Sequence, residues 1–517
     1  MELMPATVPV NNTLAGAPAS WPHDGPLLAR LTRSSGFLLL ALALWLLATL
    51  GMRPLLLPDE GRYASVALEM LHGDWLVPTL NGLPFFHKPP LFYWLDMAAM
   101  QLFGVGPFSA RAGSMLGGWL MGASMVLSLR RWHGLRLAQH ALLVLATSPF
   151  FFIASQYANH DMLVAGLIST AIVALLRAVE KPPAVDLRWL AAGAAACALA
   201  TLAKGLIGFV LPAMVLGPWL LVQGRWRQVV GLLHPLGWLV FLLIAAPWFV
   251  AIQLRYPGFF DYFVMEQHFR RFAQSSFNNV QPFWFFLPVI PALMLPWAAW
   301  IPVAAVRAWR SRTPMVGLYA WWIVAIVGFF SLPSSKLVGY VLPALAPVSI
   351  LIAMALQQAS RTRIKIFATV AALACVAVVL AITWQAPKSN RGAALALAQA
   401  MAPGDTVVMV DDYLYDIAFY ARLHDPVVFA SDWDNPLLPK QDNWRNELVD
   451  AARFAPARGA AELRPMAQLG QLACEGHTVW FVVASVKAPR VAGLTGVTRI
   501  YRDANSELWR ASARSCP

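Results

Sequence analysis

Residues 37–63 read FLLLALALWLLATLGMRPLLLPDEGRY, an apolar run that ends in two carboxylates, a guanidinium and a phenol. Helix of roughly 20 residues crosses about 30 Å of hydrocarbon, so Phe37–Leu57 reads as a first membrane span. Arg30 and Arg33 precede it and give it the look of a signal peptide. The run is long for the apolar region of such a peptide, and no small-x-small cleavage site follows before Arg53, so an uncleaved span is expected.

Apolar runs of similar length recur through the first three quarters of the chain. Of the 517 residues, 59% are hydrophobic and 13% charged, far from the soluble balance of about half apolar and a quarter charged. Further spans are expected near 110–129, 138–156, 160–178, 189–203, 205–223, 234–254, 284–306, 315–332, 338–357 and 365–384, about eleven with the first. The net charge of +13 does not point to nucleic acid, because the cations sit in short clusters between apolar runs and no recognition motif appears. Cys197 and Cys375 fall in apolar runs as small hydrophobes; only Cys474 and Cys516 are placed to pair.

With residues 1–36 as a cytoplasmic tail, every arginine-rich short loop falls on the cytoplasmic side: Arg130-Arg131, Lys181 to Arg188, Arg225 to Arg227, Arg307 to Arg312, and Arg361 to Lys365. That is the positive-inside pattern. It requires Leu91–Phe103, apolar but short, to lie along the interface or re-enter. The far side then carries a loop at about 58–106, the turn Asn159-His160-Asp161, a loop at about 255–283 and the turn Ser331–Gly339. From residue 387 the pattern changes. Strand-like runs Thr406–Val410, Val427–Ala430 and Val479–Val483 alternate with helical stretches near 391–401, 445–454 and 462–473, a small α/β domain on the same far side.

The far-side ends of the spans hold the chemistry. Asp59, Glu60 and Arg62 emerge in one turn; acidic residues behind Pro58 also suit a helix N-terminus. In Phe85-Phe86-His87-Lys88-Pro89-Pro90 the prolines hold Lys88 near the interface. Lysine as a point charge and arginine as a fork suit a phosphate, although a snorkelling lysine looks the same in sequence. Asp161 opens a span, where a carboxylate is costly unless wet or paired, and Asn159 or Asp161 also suits an N-cap. Glu266 to Phe272 adds His268, Arg270 and Arg271; Lys336 and Tyr340 stand at another outer helix end. Lys204, followed by Gly205, interrupts an apolar stretch and reads as a tight outer turn. Carboxylates beside cations serve a substrate with a phosphate leaving group, or line an ion path. Transporter charges usually sit at mid-bilayer on broken helices, whereas these sit at helix ends.

Together Asp59-Glu60-Gly61-Arg62-Tyr63-Ala64, Lys88-Pro89-Pro90, Asp161, His268 to Phe272 and Lys336 to Pro343 resemble the ArnT-like branch of the GT-C glycosyltransferases. The resemblance covers the membrane region. It implies an α-helical polytopic membrane protein of GT-C type, with about 11–13 transmembrane helices over 37–386 and a periplasmic α/β domain over 387–517. It further implies an inverting transferase that moves 4-amino-4-deoxy-L-arabinose or a related sugar from undecaprenyl phosphate to lipid A at the periplasmic face of the inner membrane. Asp59 and Asp161 would be the functional acidic pair, with Arg62, Lys88 and Tyr340 on the carrier phosphate. Glu60, Lys204, Arg270, Arg271 and Lys336 would be further substrate-binding candidates.

Other readings keep the donor and change the acceptor to protein or another glycan, or make the chain a flippase for the lipid-linked sugar. Relatives often carry Glu before Lys-Pro-Pro, where this chain has His87. His87 and His268 could share a structural zinc; no cofactor is expected in the chemistry. A monomer in contact with membrane lipids is expected. In the α/β domain, Tyr413, Tyr415, Trp433 and Trp444 suit contact with the acceptor or, as the safer reading, a small core, and Asp411 and Asp412 suit loop caps as well as sugar ligands.

Overall fold

The computed structural model describes residues 34–270, 279–311, 313–385, 389–436, 438 and 443–512, without the side chains of 268–270. Seven helices within it are long and apolar enough to cross a bilayer: Ser109–Trp132, His160–Ala178, Leu187–Lys204, Trp226–Arg255, Pro314–Ser331, Val338–Leu356 and Arg361–Gln385. The pair Phe286–Leu293 and Trp297–Arg310 is bent by 115°, and three shorter apolar helices are Ser35–Leu47, Leu135–Ala146 and Ile207–Val222. Each expected span corresponds to one of these. The helix His160–Ala178 lies at the centre of the bundle, while Trp226–Arg255 and Arg361–Gln385 turn bare apolar side chains outward, among them Leu243, Leu254 and Leu373. An exposed apolar belt of that kind needs lipid as its solvent.

Three spans depart from the continuous helices expected. The first stops at Leu47, because Gly51 and Pro54 follow and Arg53 is drawn into the protein, where it pairs with Glu60. The span expected at 138–156 breaks between Leu135–Ala146 and Pro149–Ala154, and the one at 284–306 bends where Pro291 and Pro296 remove backbone donors. The two breaks serve each other. Trp297 Nε1 donates to Thr147 Oγ1 at 2.9 Å, and Cys375 Sγ donates to the Thr147 carbonyl at 3.4 Å.

The basic segments gather at one end of the bundle. Arg131 and Arg177 both pair with Glu180, Arg225 donates to the Val179 carbonyl, and Arg307 donates to the Ala355 carbonyl at 2.9 Å. At the opposite end lie the helix Asp59–His72, the hairpin of β1 (Thr79–Leu80) and β2 (Leu83–Pro84), and the helix Leu91–Phe103. Leu91–Phe103 leaves Leu102 and Phe103 exposed, while Asp96 accepts from the Gly113 amide at 2.8 Å, and it is not among the helices long and apolar enough to cross.

The C-terminal domain holds β3 (Thr406–Val410), β4 (Val428–Ser431), β5 (Leu463–Pro465), β6 (Val479–Ala484), β7 (Val497–Arg502) and β8 (Ser506–Ala511), in the order β5-β4-β3-β6-β8-β7. β5, β4, β3 and β6 run parallel; β8 is antiparallel to both β6 and β7. The stretch expected as helix at 462–473 begins instead with edge strand β5, since Pro465 tolerates an edge and not a helix interior. Cys474 is disulfide-bonded, Cys197 and Cys375 are free, and Cys516 lies outside the described residues.

This domain is bolted to the membrane region. The Asn81 side chain accepts from the Val427 amide at 2.7 Å and donates to the Val427 carbonyl at 2.8 Å and to Glu462 at 2.9 Å. Ser65 donates to the Tyr415 carbonyl at 3.0 Å. At Gly61 a Cβ would stand 2.6 Å from Leu57 Cδ2 and 3.0 Å from the Asp416 amide nitrogen, so any other residue would push the domain off this helix.

Candidate active site

Neighbours on a helix point about 100° apart, and Asp59 and Glu60 separate accordingly. Glu60 turns inward and is fully buried. It binds Arg53 and Arg111 and accepts from the amides of Leu56 and Ala158, each at 2.8 Å. Burial by itself would raise its carboxyl, but Arg111 and then Arg53 outweigh that and hold it at about 2. Glu60 is therefore a structural ion, and its expected place among substrate ligands is corrected.

Asp59 faces a cleft of about 860 Å³ between the membrane bundle and the C-terminal domain. From the membrane region the walls include Asp59, Arg62, His87, Lys88, Asp161, Lys204 and Tyr340. Seven of the residues singled out in the sequence thus meet in one space, although they come from five separated segments. Asp59 Oδ1 accepts from Arg62 Nη2 at 2.5 Å. Asp161 is capped as sequence suggested, its amide donating to Asn159 Oδ1 at 3.0 Å, which leaves its carboxylate to pair with Lys204. Lys204 ends the helix Leu187–Lys204 at the expected tight turn and lies 4.6 Å from the centre of the Tyr340 ring. Gly339 makes room for Asp161, since a Cβ there would stand 2.2 Å from Asp161 Oδ2. Behind this wall His160 is buried among Tyr63, Phe92 and Tyr93.

Lys336 does not reach the cavity. It is buried, and its ammonium donates to the carbonyls of Gln281 and Pro333, so it ties two loops together and its expected substrate role is corrected. Arg271 and the side chains of His268 and Arg270 lie outside the described residues. His87 places Nδ1 4.0 Å from Glu447 Oε1. Among the described residues no group of three His, Cys, Asp or Glu side chains is arranged to hold a metal.

The C-terminal domain supplies the other walls: Asn390, Asn443, Glu447 and Asn505, which sequence reading missed, and Asp412, Trp444, Tyr413 and Tyr415, which it named as possible contacts to sugar or acceptor. Glu447 pairs with Arg62 and accepts from the Tyr415 hydroxyl at 2.9 Å. The available signal was Asn443, which caps the helix Trp444–Ala452 through the amides of Arg445 and Asn446; a capped helix start aimed at a pocket presents its first turn there. Tyr413 and Tyr415 are core, as expected, stacked at 4.0 Å, yet they also wall the cavity. Asp411 is an ion-paired loop residue held by Arg445, Arg490 and Lys487, whereas Asp412 faces the cavity. A second, mainly apolar cavity of about 380 Å³ shares Asp59, Asn159, Asp161 and Leu337 with the first and is otherwise lined by residues such as Phe150, Ile153 and Leu342. A polar cavity and an apolar one therefore lie side by side, with both carboxylates in the lining of each.

The family model described as dolichyl-phosphate-mannose-protein mannosyltransferase matches residues 87–250. The undecaprenyl phosphate-alpha-4-amino-4-deoxy-L-arabinose arabinosyl transferase 2 of Sodalis glossinidius is 35% identical over 323 residues, 61% of this chain and 58% of the relative. The corresponding transferase of Pseudomonas aeruginosa PAO1 is 34% identical over 335 residues, 64% of this chain and 60% of the relative. These alignments span about three fifths of the curated relatives' length. The crystal structure of ArnT from Cupriavidus metallidurans bound to undecaprenyl phosphate superposes with a TM-score of 0.79 at 26% identity, covering 94% of this chain and all of that one. The fold, the cavity and these likenesses agree: the chain is similar in sequence and in fold to the ArnT transferases.

Proposed function

We propose that the chain is an inverting glycosyltransferase that moves 4-amino-4-deoxy-L-arabinose, or a related sugar, from undecaprenyl phosphate to a phosphate of lipid A. The observation that carries this reading is the single cavity in which Asp59 and Asp161 face Arg62, Lys88 and Tyr340, with an apolar cavity suited to a lipid chain beside it. The likeness to a structure with undecaprenyl phosphate bound supports the donor.

In the reaction an oxygen of the acceptor phosphate forms a bond to the anomeric carbon as the bond from that carbon to the carrier phosphate oxygen breaks. The leaving electron pair stays on the carrier phosphate, where Arg62 and Lys88 stabilise it. Attack from the opposite face inverts the carbon. An acceptor phosphate is already ionised near neutral pH, so no proton need be removed. Asp59 and Asp161 then act as fixed negative charges beside the positive charge that develops on the sugar ring, and they orient it. The cation-rich end of the bundle supports a cytoplasmic position for that end and, with it, a periplasmic position for the cavity and the C-terminal domain. A zinc shared by His87 and His268 would brace two loops without entering these steps; metal analysis of the purified chain showing no stoichiometric zinc would remove it.

Lipid A mass spectrometry tests the reading. Cells that make the donor but lack their own transferase are complemented with this chain or with Asp59→Asn. A sugar-sized mass gain with the native chain alone is expected. No gain from a chain that reaches the membrane sinks the lipid A assignment and turns attention to protein or another glycan as acceptor, or to carrier movement without bond change.

A further inference from the structure

We propose that Glu447 is a resident anion on the Arg62 guanidinium, a carboxylate of the C-terminal domain that the donor phosphate displaces when it binds. The inference rests on the carrier-phosphate reading of the cavity given above. Arg62 carries two carboxylates at once, Asp59 on Nη2 and Glu447 on Nη1, while its buried Nε has no hydrogen-bond partner. Both ends of the fork that would grip a phosphate are therefore already taken.

The charges that face the cavity show why this cannot persist with donor bound. Asp59, Asp161 and Glu447 oppose the cations Arg62, Lys88 and Lys204; Lys204 is committed to Asp161, and Asp412, also in the wall, is held by Lys487 at 3.0 Å. A phosphodiester adds another negative charge beside the two carboxylates on the guanidinium, and like charges at such short range inside a protein repel. One carboxylate must leave the phosphate-binding cation. Asp59 stands one helical turn from Arg62 on the same helix and stays with it. Glu447 comes from the helix Trp444–Ala452 of the other domain, and its second oxygen rests on the Tyr415 hydroxyl, so a change of side-chain torsion frees the guanidinium and leaves Asp59 in place. Glu447 is thus a positioning residue: it holds Arg62 ready in the empty enzyme, returns when carrier phosphate departs, and lets the C-terminal domain register occupancy of the membrane site.

Binding of geranylgeranyl phosphate to the full chain in detergent, read by calorimetry beside thermal unfolding, tests this by sign. Glu447→Gln removes the competing charge and should bind roughly tenfold tighter than the native chain, about 1.4 kcal/mol. A carboxylate that merely supported the fold would give weaker or equal binding when neutralised, and that result in a folded variant overturns the proposal. Tyr415→Phe, which removes only the hydroxyl on the second oxygen, should tighten binding by a smaller factor and carries the test should Glu447→Gln fail to fold. Binding by the native chain with no tightening in either variant overturns the displacement alone. Binding by none of the three chains overturns the carrier-phosphate reading and this inference with it.

Discussion

Two clusters of the same residue types lie within one helical turn of each other and are used in opposite ways. Glu60 with Arg53 and Arg111 is sealed inside, every partner fixed and no exposed surface on Glu60 or Arg111. Asp59 with Arg62 and Glu447 lines a cavity, and Asp59 keeps 29% of its side-chain surface. A sealed ion cluster cannot meet a substrate without leaving a charge unpaired in the interior, whereas an open one can exchange a carboxylate for a phosphate. The difference is one of partners and access. Charge type alone does not distinguish the two.

Substitutions at the two neighbouring carboxylates test that division most severely. Glu60→Gln leaves Arg53 and Arg111 buried with their charge uncompensated and should cost about 3–5 kcal/mol of stability, seen as a large fall in thermal midpoint or as loss of the chain from the membrane. Asp59→Asn should leave the midpoint nearly unchanged, because a partly exposed pair contributes about 0–1 kcal/mol, yet slow sugar transfer by roughly 100- to 1,000-fold, the usual scale for losing a group that stabilises developing charge. A Glu60→Gln chain that stays folded and loses only activity would break the comparison.

Acid sharpens it. The folded Glu60 carboxyl lies at about 2 against an ordinary value of 4.5, so its ion cluster contributes stability above pH 4.5 that is lost as the pH falls towards 2. The shift corresponds to about 3 kcal/mol. A native chain whose midpoint does not fall between pH 4.5 and pH 2 would contradict the sealed cluster. Two lysines extend the contrast at smaller scale. Lys88→Ala should weaken carrier-phosphate binding by about 1.5–3 kcal/mol with the fold intact, while Lys336→Ala should spare binding and cost about 1–3 kcal/mol of stability by stranding two carbonyls. Paired binding and unfolding measurements on both variants separate the outcomes.

How much of this is legible in the amino-acid sequence follows from the range of each interaction. The spans, the orientation of the basic loops and strand β3 come from local periodicity. The acidic, basic and proline signals at helix ends are local too, and they single out Asp59, Arg62, Lys88, Asp161, Lys204 and Tyr340, all six of which line the cavity. Glu60 is misplaced by sequence reasoning because the sequence shows only its position beside Asp59, and the packed neighbours Arg53 and Arg111 decide which way the helix turns it. Glu447, in the wall from the C-terminal domain, is missed because the Arg62–Glu447 pair joins residues 385 apart, and no periodicity encodes such a contact. The early end of the first helix and the paired breaks at Thr147 and Trp297 escape for a related reason: tertiary partners satisfy backbone that composition alone would keep helical.

A last contrast comes from a carboxylate that burial drives the other way. Glu462 sits where the C-terminal domain grips the hairpin, accepting from Asn81 at 2.9 Å with Arg458 3.5 Å away. Burial pushes its carboxyl up to about 8 from 4.5, with Arg458 and Asn81 opposing and Glu69 adding to the rise. The folded chain therefore holds a proton that the unfolded chain has lost, and this group's contribution to stability declines as pH rises from 4.5 to 8, opposite in sign to Glu60. Glu462→Gln keeps an acceptor for Asn81 and cannot ionise, so it should raise the thermal midpoint at pH 8 and leave it unchanged at pH 4. Should the variant lower the midpoint equally at both pH values, Glu462 would belong with Glu60 as an ionised partner, and the gripped hairpin would be held by charge instead of by a shared proton.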